Sequence, residues 1–91
     1  MAYYVYIIQS AKDMSYYKGY SCDPVIRLHQ HNNRESTYTA GKCPWKLVYV
    51  EELSSKKEAL IREKNLKKAT RERIEALINH PKNVVERFLG N

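Results

Sequence analysis

The sequence predicts an α+β domain: a small three-stranded antiparallel sheet flanked by helices, in the order β-β-α-β-α-α. Three features carry that expectation. The first twenty residues hold two aromatic and β-branched runs around a polar turn, the pattern of a β-hairpin. Asp23-Pro24 and Ser55-Lys56-Lys57-Glu58 are two helix starts, one by N-cap and first-turn proline, the other by a capping box. Between them, Trp45–Glu51 has neither glycine nor proline and reads as a third strand.

Taken in order, Tyr3–Gln9 is the first strand, Ala11–Ser15 the turn and Tyr16–Tyr20 the second strand. The helix from Pro24 should end near Asn32 or Asn33, both poor interior residues. Asn33–Pro44 is polar, carries Gly41 and reads as a loop. After Trp45–Glu51, the Ser55 cap opens a helix to about Lys68. Thr70 caps a further helix with Ile74, Leu77 and Ile78 at helical spacing, and His80-Pro81 ends it. The last ten residues hold Val84, Val85, Phe88 and Leu89, and both a short docked helix and a loose tail are open for them. The whole chain, 1–91, reads as one domain, with a core over about 2–80 and a C-terminal tail over 81–91.

Composition narrows the function. A chain of 91 residues leaves no room for a second domain. No apolar run approaches the ~20 residues that cross a bilayer, and no signal-peptide pattern is present. Two cysteines, Cys22 and Cys43, are too few for a disulfide framework and read as free thiols, so the expected location is the cytoplasm. Sixteen Lys and Arg against ten Asp and Glu give a net charge of +6, which favours a polyanionic partner, most commonly nucleic acid. Eight tyrosines stand against one Phe and one Trp. Packing alone does not select hydroxylated rings so heavily, since each buried hydroxyl needs a partner.

Three groups of residues suggest chemistry. Arg27 and His31 lie four apart on one face of the first helix, with Val25, Ile26 and Leu28 turned toward the core. On spacing alone that pair reads as a solvated face. In the helix after Ser55, an apolar arc of Ala59, Leu60 and Leu66 has Glu63 in its middle, about 40° round from Ala59. A carboxylate there must pair with a cation, whether Arg27, a lysine or a metal ion. The hairpin supplies Tyr4, Tyr6, Tyr17 and Gly19, and a glycine within a strand suggests close approach of other atoms. Strand tyrosines are otherwise ordinary packing residues.

At these residues the chain resembles the GIY-YIG endonuclease domain, in its short stand-alone bacterial form. The first motif stands as Tyr4-Val5-Tyr6 and the second as Tyr17-Lys18-Gly19, followed by Arg27, His31 and, after the third strand, Glu63. The resemblance covers about residues 2–80. Tyr4 replaces the first motif's glycine, and Lys18 replaces an aliphatic residue of the second. The resemblance implies a GIY-YIG-like fold and hydrolysis of phosphodiester bonds with one divalent ion, Mg²⁺ or Mn²⁺. It implies that Glu63 holds the metal, that Arg27 pairs with the phosphate, and that Tyr6 is the general base. Tyr17 then supports by hydrogen bonding, with the two tyrosine roles interchangeable, and His31 accepts a proton from the tyrosine or orients it. The candidate catalytic residues are therefore Tyr6, Tyr17, Arg27, His31 and Glu63.

Lys18, Arg62, Lys64, Lys67 and Lys68 are the candidate nucleic-acid contacts, within a basic crowd that also includes Lys56, Lys57, Arg71 and Arg73. Tyr38 is open to stacking on a base and to packing on the core, with packing favoured. The leading expectation is a DNA endonuclease with little sequence preference, with RNA open as a substrate and any recruiting protein unidentified. A non-catalytic nucleic-acid-binding module on the same fold is the alternative, and a protein-interaction domain built on the tail around Phe88 is a third.

Overall fold

Strand β1 (Tyr3–Ser10) lies between β2 (Tyr16–Ser21) and β3 (Trp45–Leu53), antiparallel to both, in the computed structural model, which describes residues 2–89. The central place of β1 follows from its sequence. Val5, Tyr6, Ile7 and Ile8 are all buried, so both faces of the strand need covering. Val5 and Ile7 pack with Tyr49 against Ala59 and Leu66 of α3 (Lys56–Lys67) and Ile74 and Leu77 of α4 (Arg71–Ile78). Tyr6 and Ile8 pack on the other face with Trp45, Leu47 and Val50, covered by Leu28 of α1 (Pro24–Asn32) and by Val84, Val85 and Phe88. A bulge in β3 skips Val48 in the pairing with β1, so Leu47 and Tyr49 serve opposite faces.

The helix starts are built as their sequences suggest. Asp23 Oδ1 accepts from the amides of Val25 and Ile26 at 3.1 Å, ahead of Pro24. Ser55 Oγ accepts from the Glu58 amide at 3.2 Å, while Glu58 reaches back to the amide of Ser54 rather than Ser55. Thr70 caps α4 through the Arg73 amide. Asn32 at the end of α1 exchanges two hydrogen bonds with the backbone of Trp45, which fixes α1 against β3.

Three details differ from the sequence reading, and the tail takes one of its two open forms. The segment read as loop contains a single helical turn, α2 (Thr37–Ala40). On α1, Ile26 is exposed, and the inward side is Pro24, Leu28 and His31. On α3, Leu60 and Ile61 face solvent, and the buried side runs through Ala59 and Leu66 with Arg62 and Glu63 half-buried beside them. The tail docks: Val85–Phe88 forms a 3₁₀ turn, and Phe88 meets Tyr4 edge-on at 5.2 Å. Asn83 anchors it. Its Oδ1 accepts from the amides of Val50 and Val85, and its Nδ2 donates to the carbonyls of Val48 and Ile78. The Val84 amide adds a bond to the Val50 carbonyl.

Candidate active site

Tyr6 sits in the middle of the sheet with 1% of its surface exposed. In the β1–β2 register it lies opposite Gly19. A Cβ on Gly19 would stand 2.6 Å from the Tyr6 hydroxyl, so the missing side chain is what lets the ring cross β2. The hydroxyl then meets His31 Nε2 of α1 at 3.0 Å. His31 is fully buried, and its Nδ1 lies 2.8 Å from Thr39 Oγ1 of α2. The Thr39 hydroxyl reaches the Ser36 carbonyl at 3.4 Å.

Arg27 lies on α1 one turn before His31, half-buried, with Nη1 donating to Gln30 Oε1 at 2.6 Å. Burial raises the Tyr6 phenol above its ordinary pKa. The Arg27 guanidinium beside the hydroxyl opposes that rise, and the charges of Tyr17 and Glu63 add to it. Burial lowers the His31 pKa, and the charge of Arg27 lowers it further. Tyr6 is thus a protonated phenol and His31 a neutral imidazole near pH 7. Tyr17 packs edge-on to His31 at 5.0 Å between ring centroids.

Glu63 approaches this group from α3 with a side chain 17% exposed, and Lys67 Nζ is 3.7 Å from its carboxylate. The partner of this inward carboxylate is therefore Lys67, one turn along, and Arg27 pairs with Gln30 instead. Among the described residues there is no cluster of three or more His, Cys, Asp or Glu. A single carboxylate suits an ion that keeps most of its waters and takes its other oxygens from a phosphate, as Mg²⁺ does, and does not suit a caged structural ion.

The rim is basic and aromatic. A groove of about 470 Å³ opens between Tyr16, Tyr17, Lys18, Tyr38 and Lys67. Tyr38, expected to pack on the core, is 78% exposed, with its ring 5.7 Å from that of Tyr17. Partial burial lowers the Lys18 pKa. Lys64, Lys67 and Lys68 are exposed on or just after α3. Arg62 departs from this set. Its Nε donates to Glu51 Oε1 at 2.9 Å, and the Tyr49 hydroxyl donates to the same oxygen at 2.7 Å. Burial, together with the bond to Glu51, pushes the Tyr49 phenol up to about 12. Arg62 thus pairs with an inward carboxylate of β3 through Nε, with a quarter of its side chain exposed.

Sequence reasoning missed Thr39 and Glu51. Thr39 is an ordinary residue in a polar stretch, and no local pattern links it to a histidine eight positions earlier. Glu51 ends the strand as first read, and the strand's two further residues draw it into the sheet.

Comparison with known proteins follows this geometry. The family model of the GIY-YIG catalytic domain matches residues 2–76. A UPF0213 protein of Haloquadratum walsbyi is 40% identical over 76 residues, covering 82% of this chain and 84% of that protein. A UPF0213 protein of Streptococcus pneumoniae is 35% identical over 88 residues, covering 93% and 88%. Among solved structures, the solution NMR structure of the UPF0213 protein BH0048 from Bacillus halodurans matches with a TM-score of 0.58 at 33% identity, covering 98% of this chain and 95% of that one.

Proposed function

This chain belongs to the GIY-YIG catalytic domain family, a family of nucleases, and we propose that it is a metal-dependent endonuclease hydrolysing phosphodiester bonds in DNA with little sequence preference of its own. The observation that carries the reading is the buried Tyr6–His31 hydrogen bond, with Arg27 one helical turn before His31 on α1. That contact gives the phenol proton a defined acceptor inside the protein.

Tyr6 takes a proton from the attacking water while its own proton passes to His31 Nε2. Arg27 pairs with the scissile phosphate and offsets the charge that grows in the transition state. Tyr17 holds the flank of His31. A divalent ion, Mg²⁺ or Mn²⁺, bound at Glu63 would supply polarisation of the phosphate and stabilise the departing 3′ oxygen. Lys18, Lys64, Lys67 and Lys68 receive neighbouring phosphates along the groove. The free thiols Cys22 and Cys43 fit a reducing cytoplasm, and no helix among the described residues is long and apolar enough to cross a membrane.

The test is cleavage of single-stranded, branched and duplex DNA, with RNA alongside, in Mg²⁺ and in Mn²⁺, using Glu63→Ala as control. Cleavage that needs both the ion and Glu63 supports the proposal. One contact favours a second reading: Lys67, 3.7 Å from Glu63, occupies the carboxylate that a metal would need. If every substrate stays uncut while DNA is bound, the chain is a non-catalytic binding module on this fold.

A further inference from the structure

We propose that Thr39 is a positioning residue that keeps the His31 proton on Nδ1 and so leaves Nε2 open to receive the Tyr6 proton, an inference that rests on the roles given to Tyr6 and His31 above. A neutral imidazole carries one N–H, and its partners decide which nitrogen bears it. Two separate parts of the chain of contacts favour the same answer.

At the far end, the Thr39 hydroxyl has the Ser36 carbonyl as an acceptor at 3.4 Å. With its proton directed there, Oγ1 offers a lone pair to Nδ1 at 2.8 Å, and Nδ1 must be the protonated nitrogen. At the near end, the Tyr6 hydroxyl has Nε2 as its side-chain partner at 3.0 Å. Among the described residues Nε2 is the acceptor that the contacts give the Tyr6 proton, which favours a bare Nε2 without fixing it in the absence of Thr39. The opposite tautomer would aim an N–H at that hydroxyl and leave its proton without an acceptor among the described residues.

The turn is anchored for this task. Thr39 is fully buried, and its carbonyl accepts the Trp45 indole N–H at 3.0 Å. The Cys43 thiol donates to the His31 carbonyl at 3.1 Å. Both partners of the Nδ1 contact are thereby tied to the start of β3.

The transfer of the water proton closes within these groups, and the 3′ oxygen leaves with the bonding pair and takes its proton from solvent. As the O–H bond of water breaks, its proton joins the Tyr6 oxygen and the Tyr6 proton joins Nε2. His31 becomes an imidazolium with Nδ1–H still on Thr39, and the hydroxide attacks phosphorus as the bond to the 3′ oxygen breaks.

The experiment is two-bond ¹H–¹⁵N correlation of the His31 ring in the full chain, for wild type, Thr39→Val and Thr39→Ser, with cleavage and DNA affinity measured on the same samples. Wild type and Thr39→Ser should show a protonated Nδ1 and a bare Nε2, and Thr39→Val should move population to the other tautomer. Turnover should fall roughly tenfold or more in Thr39→Val with affinity within about twofold, and Thr39→Ser should recover it. A wild-type Nε2–H, or an unchanged tautomer in folded Thr39→Val, overturns the inference whatever the protein cleaves. The expected spectra in a protein that cuts nothing overturn the nuclease reading instead and uphold the tautomer assignment.

Discussion

The hydroxyl of Tyr6 and Nε2 of His31 meet at 3.0 Å across 25 positions of sequence, inside the protein and away from bulk water. Tyr6→Phe removes only the oxygen from that contact. Cleavage should fall by ~10²-fold or more, the scale of a lost acid–base group, while DNA affinity holds. Steady-state cleavage and fluorescence anisotropy check this, and turnover retained within a few-fold would assign the base to Tyr17.

Gly19→Ala should destabilise the fold by about 1–3 kcal/mol, because the added methyl falls on the Tyr6 hydroxyl and ring with no flexible end to yield. Gly41→Ala, where a Cβ meets nothing within 4 Å, is the matched control. Thermal melts of the two should separate clearly; equal melting points would mean that the Tyr6 ring does not cross β2.

Glu63→Ala should abolish cleavage yet keep or strengthen DNA binding, because it removes a negative charge beside Lys67. Binding lost together with cleavage would place Glu63 in the fold rather than at the metal.

Lys67→Ala and Arg62→Ala separate phosphate contacts from structural charge. Lys67→Ala should lower the salt slope of duplex binding by roughly one contact, ~0.9. Arg62→Ala should leave that slope unchanged and cost about 1.5–3 kcal/mol of stability, since it strips the charged partner from Glu51. Salt titrations and denaturant melts read the two effects; the reverse pattern would return Arg62 to the nucleic-acid face.

Stability should also depend on pH through His31. Its folded pKa lies below the ordinary value near ~6.5, so the unfolded chain takes up the proton first as pH falls. The contribution is fully present above about pH 6.5 and is lost as pH drops from there through the depressed folded value. The exposed Asp13, lowered to about 2 by its bonds to Ser15, acts only in a more acidic window. Between about pH 7 and pH 5, wild type should therefore lose melting temperature faster than His31→Gln. Parallel curves would mean that His31 is not held neutral by the fold.

Local chemistry explains what the sequence discloses. Strand, cap and proline signals act over a few residues, which is why Asp23-Pro24, Ser55 and Thr70 mark their helices correctly. Gly19 inside a strand pointed to a close approach, and the approaching group is Tyr6. What stayed hidden depends on partners from distant segments. His31 shares a helix face with Arg27 and so reads as solvated, yet the contacts from Tyr6 and Thr39 on other elements bury it. Arg62 reads as one more cation in a basic run, and only the fold shows that Glu51 claims it. Leu60 was assigned inward because helical spacing gives the angles of a face and not which side the sheet covers.

The four bonds of the Asn83 amide bear on more than the tail. Val50 belongs to β3, a rim strand of a three-stranded sheet, and rim strands recruit further strands, including those of other molecules. With its N–H held by Asn83 and its C=O by Val84, Val50 has no spare ladder groups to lend a neighbour. Shortening the polypeptide ahead of position 83 would unsheathe an adhesive flank, and a monodisperse solution would give way to intermolecular β-stacking.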